Sequence, residues 1–285
     1  MAKESWAHRE AVVNGVRLHW VEQGTGPLVL LLHGFPEFWY GWRHQIPALA
    51  AAGFRVAAPD LRGYNLSDKP RGLAAYGVEP LVADAAGLIR HLGAERACVA
   101  GHDWGGVVAW WLAMLHPELV ERLVIANAPH PRALAREMRK PRQLLRFWYA
   151  AFFQLPALPE ALLRARDFAA LERVLRHDPR RPGAFTDEDI RRYKESWRQP
   201  GALPAMLAYY RAVRRTRRPR TRPVAAPTLL LWGERDRALR VQLTEGLEPW
   251  VPDLRVERIP DASHWVLADA PGRVSERMAD FLRGA

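Results

Sequence analysis

Asp103 lies between two glycines in the stretch Gly101-His102-Asp103-Trp104-Gly105. The stretch joins an apolar run over 97–101 to a segment with helical spacing over 105–116. A G-x-nucleophile-x-G turn between strand and helix raises its central side chain, and flanking glycines let the turn approach neighbouring backbone. The same spacing also suits a plain glycine-rich turn in which Asp caps a helix. A nucleophilic Asp has its own chemistry, because a carboxylate is ionised at neutral pH and needs no base to attack. On an ester carbonyl it would form an anhydride. On a saturated carbon bearing a leaving group it forms an alkyl ester, which water then cleaves. Asp103 therefore points to substitution at carbon, with an epoxide or alkyl halide as electrophile.

Cleaving that ester requires a base that activates water and an acid that orients the base. Asp236 follows the apolar run 228–233 in Gly-Glu-Arg-Asp, and His264 follows 254–259 in Asp-Ala-Ser-His-Trp. The order nucleophile, acid, base is one in which such triads occur. His264 alone among ten histidines stands in the loop after the last expected strand, whereas His102 is expected to point away from the turn tip. An alternative acid position after 122–127 holds Asn127-Ala-Pro129 and no carboxylate, and Glu234 is the nearest competitor to Asp236. His33-Gly34-Phe35-Pro36 ends an earlier apolar run. A loop there supplies one backbone N–H of an oxyanion hole and the residue after the nucleophile supplies the other, here Phe35 and Trp104.

The elements that must hold these residues alternate along the chain. Asn14-Gly15 separates two alternating runs, 10–13 and 16–21, as a hairpin turn does. Residues 27–34 form a continuous apolar run ending in Gly, the pattern of a strand buried on both faces. Expected helices at 42–52, 81–92 and 105–116 alternate with expected strands at 54–60, 97–101 and 122–127. From Pro131 to Arg222 no strong strand pattern occurs, only helical spacing, prolines and many arginines. The alternation resumes with strands at 228–233 and 254–259 and helices at 241–250 and 271–282. Such a rhythm predicts a mostly parallel sheet flanked by helices, interrupted by an α-helical insertion. The expected division is a core of 1–130 and 223–285 with a cap over 131–222.

The 285 residues suit one large α/β unit with an insertion, and 49% hydrophobic residues exclude wholesale disorder. Forty-two Lys and Arg against 31 Asp and Glu give +11, and only Lys3, Lys69, Lys140 and Lys194 are lysines. That charge raises a nucleic-acid or membrane reading. The run Arg211, Arg214, Arg215, Arg217, Arg218, Arg220 and Arg222 carries no binding motif or stacking platform, so no specific nucleic-acid partner is expected. The single Cys98 excludes an internal disulfide framework and suits a reducing compartment. No apolar run is long enough to span a bilayer, and the first ten residues lack a signal-like apolar stretch. A cytoplasmic place is the expectation.

The motifs together resemble the epoxide hydrolases of the α/β-hydrolase fold. The match runs in order through residues 33–42, Arg62-Gly-Tyr64, Gly101–Gly106, Trp232–Asp236 and Asp261–Trp265, nearly the whole chain. The resemblance implies a helical cap with two tyrosines that bond the epoxide oxygen. Residues 147–156 place Tyr149 in that role, and Ala208-Tyr-Tyr210-Arg211 places Tyr210 there. Tyr209 lies about 100° around the helix, so only one of that pair can face the site. Tyr193 matches no motif and reads as structural. Phenols suit the task, because a group of pKa near ~10 stays protonated at neutral pH and can donate to the alkoxide. Substrate contacts are expected from His33, Pro36, Trp104, Trp148 and Phe152. No metal or organic cofactor is implied; the partners are an epoxide and water. Haloalkane dehalogenases are the alternative, since they share the Asp-Trp pair, but they carry Asn where Phe35 stands and lack paired tyrosines. A non-catalytic ligand-binding protein of the same fold is the third possibility.

Overall fold

The computed structural model describes residues 6–215 and 219–284, apart from the Arg214 side chain. Arg214 as a side chain, with Arg217 and Arg218, therefore lies outside the described residues. The sheet is built from β1 (Ala7–Val13), β2 (Val16–Gln23), β3 (Leu28–Leu32), β4 (Arg55–Pro59), β5 (Ala97–His102), β6 (Val120–Ala126), β7 (Thr228–Gly233) and β8 (Leu254–Ile259). Their order is β1-β2-β4-β3-β5-β6-β7-β8. The first two strands form an antiparallel hairpin, β2 pairs antiparallel with β4, and every later pairing is parallel. Parallel strands covered on both faces read as continuous apolar runs, and β3, β5 and β7 are buried along their whole length.

The chain steps from β3 outward to β4, then returns to lay β5 on the other side of β3. Where the direction of winding reverses, the loops beyond the strand ends part and leave a crevice. The loop after β3 and the turn after β5 meet at that point.

Helices α1 (Gln45–Ala51), α2 (Val78–His91) and α3 (Trp104–Leu115) cover the first half of the sheet. Between β6 and β7 the described residues form helices and connecting loops, with no strand. The helices are α4 (Pro131–Glu137), α5 (Pro141–Arg146), α6 (Trp148–Phe152), α7 (Leu158–His177, broken at Ala165–Phe168), α8 (Asp187–Arg198) and α9 (Ala202–Arg215). Proline opens α4 and α5, where its missing N–H has no helical partner in any case. Thr186 and Asp189 form a reciprocal capping box at the start of α8. Three bonds from the α8 region hook it to the sheet loops: Tyr40 Oη–H to Asp189 (2.8 Å), Tyr193 Oη–H to Glu37 (2.9 Å) and Trp197 Nε1–H to the Pro36 carbonyl (2.6 Å). After β8 come a short helix α10 (Val266–Asp269) and α11 (Pro271–Arg283).

The helix expected over 241–250 does not form. Only a 3₁₀ turn, Val241–Thr244, is present. Gly246 adopts φ +64°, Pro249 follows, and Arg136 of α4 binds the Gln242 and Glu245 carbonyls that a helix would use internally. The helix expected over 42–52 likewise starts late, at Gln45, after a 3₁₀ turn at Trp39–Trp42.

Candidate active site

Asp103 caps the end of β5 with φ 49° and ψ −119°, a strained conformation outside the usual regions for a non-glycine residue. The turn is possible because its neighbours lack side chains. A Cβ on Gly105 would overlap the Leu32 carbonyl, and one on Gly34 would overlap the Asp103 side chain. The close approach of the two loops thus requires glycine on both sides, and it delivers the Asp103 carboxylate into the crevice.

One carboxylate oxygen, Oδ1, accepts the Phe35 backbone N–H at 2.8 Å. The other, Oδ2, stands 3.6 Å from His264 Nε2. His264 Nδ1–H donates to Asp236 Oδ2 at 2.7 Å. The three residues come from the loops after β5, β7 and β8, where the sequence placed them. Asp236 is buried and densely bonded: Oδ1 accepts from the Ala238 and Leu239 N–H groups (2.7 Å each), and Oδ2 also accepts from Asn127 Nδ2–H (2.8 Å). Burial works to raise the Asp236 carboxyl pKa, but the adjacent His264 and these donors hold it below the usual range. Burial works to lower that of His264, and the Asp236 carboxylate, with Asp103 and Asp178 beyond it, overcomes this and pushes it up to about 9.

Asn127 occupies the alternative acid position and bonds Asp236 from there. Its amide N–H holds Asp236 while its Oδ1 accepts the Gly233 N–H at 2.8 Å. His102 does point away from the tip. Its Nε2 lies 2.9 Å from the His264 carbonyl and its Nδ1 3.0 Å from Glu37, which Tyr193 also reaches. Tyr193, buried, closes a chain of bonds ending on the His264 backbone. The Asp236 loop is braced from α5 as well. Gln143 of α5 donates to the Ala238 carbonyl and accepts the Arg240 N–H, and Arg146 donates to the Asp236 carbonyl. Sequence reasoning missed Glu37, Gln143 and the service role of Asn127. Only Asn127, at a position where an acid can stand, carried a local signal.

Tyr149 and Tyr210 come together, with ring centroids 6.0 Å apart. Tyr210 packs edge-on to Phe35 and Trp104, the residues flanking Asp103 in the two loops. Burial, followed by the nearby Asp103 charge, pushes both phenols well above their ordinary value, so both keep their protons at neutral pH. Tyr209 turns the other way and donates to the Arg62 carbonyl at 2.8 Å.

Three expected substrate contacts are placed differently. His33 is fully buried; its Nε2 accepts the Leu61 N–H and its Nδ1–H meets the Gly34 carbonyl, leaving no nitrogen for a ligand. Trp148 is 67% exposed, its ring set beside those of Tyr149 and Phe152. Phe152 is half-buried, whereas its neighbour Phe153 packs against Phe35, Tyr149 and Tyr210. On a helix adjacent residues diverge, and it is Phe153 that turns inward. Pro36 is buried with its carbonyl taken by Trp197, while Trp104 adjoins the tyrosines.

A strained turn carrying a carboxylate at the winding reversal, with an Asp–His pair on later loops beside it, is the arrangement of an α/β hydrolase. The α/β-hydrolase fold family profile matches residues 27–271. An AB hydrolase superfamily protein of Bacillus subtilis, YfhM, is 45% identical over 276 residues, covering 95% of this chain and 96% of its own. Mouse epoxide hydrolase 4 is 37% identical over 278 residues, covering 95% and 77%. Among solved structures, Bacillus megaterium epoxide hydrolase in complex with an inhibitor superposes with a TM-score of 0.89 at 33% identity, covering 96% and 100%. The chain belongs to the α/β-hydrolase family, among its epoxide hydrolases.

Proposed function

We propose that this protein converts an epoxide and water into a vicinal diol through an alkyl ester on Asp103. The observation that carries the reading is the placing of two protonated phenols, Tyr149 and Tyr210, together beside the Asp103 carboxylate. Asp103 attacks an epoxide carbon, the C–O bond breaks, and Tyr149 and Tyr210 donate to the departing oxygen. His264, oriented by Asp236, then takes a proton from water that attacks the Asp103 acyl carbon. The Phe35 N–H, already on Asp103 Oδ1, and the Trp104 N–H stabilise the tetrahedral oxyanion. Trp104, Pro36 and Phe153 with the half-buried Phe152 form the apolar surroundings of the substrate. The cap is assigned to 131–222 and the core to 1–130 and 223–285.

Esterification also switches the base on. The negative charge of Asp103 is one of the influences that raise the His264 pKa, and the ester has no such charge. His264 therefore loses affinity for its proton at the step where a neutral imidazole is needed.

A halide leaving group needs N–H donors rather than proton donors, and Phe35 with the paired tyrosines favours the epoxide. Incubation with styrene oxide and, separately, a bromoalkane tests the assignment. Diol without bromide supports it; bromide with no diol overturns it in favour of a dehalogenase, and neither product overturns it in favour of a binding protein.

A further inference from the structure

Of the ten large apolar side chains that are strongly exposed among the described residues, six lie between 144 and 162: Leu144, Leu145, Trp148, Leu155, Leu158 and Leu162. Leu145 is 73% exposed and Trp148 67%. Trp148 packs on Phe152, the Leu155 N–H bonds the Phe152 carbonyl, and Leu158 and Leu162 are one turn apart on α7. Grouped exposure on this scale marks an interaction surface rather than ordinary apolar scatter.

The rim of this surface has one sign of charge. Residues 139–166 contain Arg139, Lys140, Arg142, Arg146, Arg164 and Arg166 against a single acid, Glu160, which is paired with Arg211. The side chains of Arg139, Arg142 and Arg166 are exposed and make no ion pair or hydrogen bond among the described residues. Leucine and tryptophan flanked by unpaired arginine, on a molecule of net charge +11, is the composition of a surface that lies in a membrane interface. No described helix is long and apolar enough to cross a membrane, so the chain would rest on the bilayer rather than span it.

We propose that this face of the insertion docks on an anionic lipid bilayer, its leucines and Trp148 entering the headgroup region and its arginines meeting lipid phosphate. A second copy of the chain is the poorer occupant, because two such faces would bring like charges together. The face borders the crevice: Trp148 adjoins Tyr149, and Phe152 adjoins the inward-turned Phe153. On the function proposed above, apolar epoxides dissolved in the bilayer would be presented next to the cap tyrosines. The docking itself does not depend on that function.

Cosedimentation of the whole protein with lipid vesicles tests this. Vesicles of phosphatidylcholine and phosphatidylglycerol in equal parts should pellet the protein at low salt, and pure phosphatidylcholine should pellet little. The double variant Leu145→Ser/Leu162→Ser should weaken anionic-vesicle binding by about tenfold or more while its solution turnover of styrene oxide stays unchanged. Arg139→Gln/Arg142→Gln should weaken it and flatten its salt dependence. Absence of pelleting at low salt overturns the proposal. So does undiminished binding by the leucine variant, which would leave adsorption to overall charge alone. A concentration-dependent dimer in sedimentation velocity, abolished by the same leucine variant, would assign the face to a second copy instead.

Discussion

At the scale of single residues, each titrating group has a defined consequence. His264 is raised from 6.5 to about 9. A group whose folded pKa is raised stabilises the fold fully below its unfolded value and loses that contribution as pH rises through the folded value. The loss here spans roughly pH 6.5 to 9 and amounts to on the order of 3 kcal/mol. Chemical denaturation across that range should show the wild type losing more stability than His264→Gln; equal losses would contradict the pair as described. In His264→Gln the first step survives and the second stalls, so mass spectrometry should find protein carrying one substrate with almost no turnover. Tyr149→Phe and Tyr210→Phe should each slow ester formation by about a hundredfold or more and leave ester hydrolysis untouched. Rapid-quench kinetics separate the two steps. Asp103, Asp236 and His264 were legible because each stands just after a distinct strand of the sheet. The facing of loop side chains was not. Nothing local in His33-Gly-Phe-Pro announces that the imidazole serves the Leu61 N–H instead of a substrate, nor which of Phe152 and Phe153 turns inward.

At the scale of elements, the site depends on loops held by partners far away in sequence. The Asp236 loop is gripped from β6 by Asn127 and from α5 by Gln143 and Arg146. Asn127→Ala removes a buried donor from Asp236 and leaves the Gly233 N–H without its acceptor. It should cost about 1–3 kcal/mol in denaturant unfolding and move the pH profile of ester hydrolysis. Unaltered stability would show that the bonds are not made in solution. A second buried pair, Arg62 with Asp84 at 2.5 Å on two bonds, ties the loop after β4 to α2. Arg62→Met strands Asp84 and should cost about 3–5 kcal/mol by urea titration. Strands and most helices were readable from their periodicity. The segment 241–250 was not, because its fate is decided by Arg136 arriving from α4 to take its carbonyls.

For the whole molecule, alternation of strand and helix was enough to predict the parallel sheet, its interruption near Pro131 and its resumption at Thr228. What alternation could not supply is the way insertion and core share one support: Tyr193 on α8 reaches Glu37, Glu37 holds His102, and His102 meets the His264 backbone. The charge of +11 plays no part in the proposed chemistry, which would rest on two carboxylates, an imidazole and two phenols. The excess of Lys and Arg over acids is concentrated in residues 131–222. The claim on which the functional account turns is that Asp103 itself bonds to carbon. One turnover with enzyme in excess over styrene oxide, in water enriched in heavy oxygen, measures this most directly. The account predicts a first diol whose new hydroxyl is unlabelled, with the label left in the Asp103 carboxylate. Label in the new hydroxyl of that first diol would contradict it.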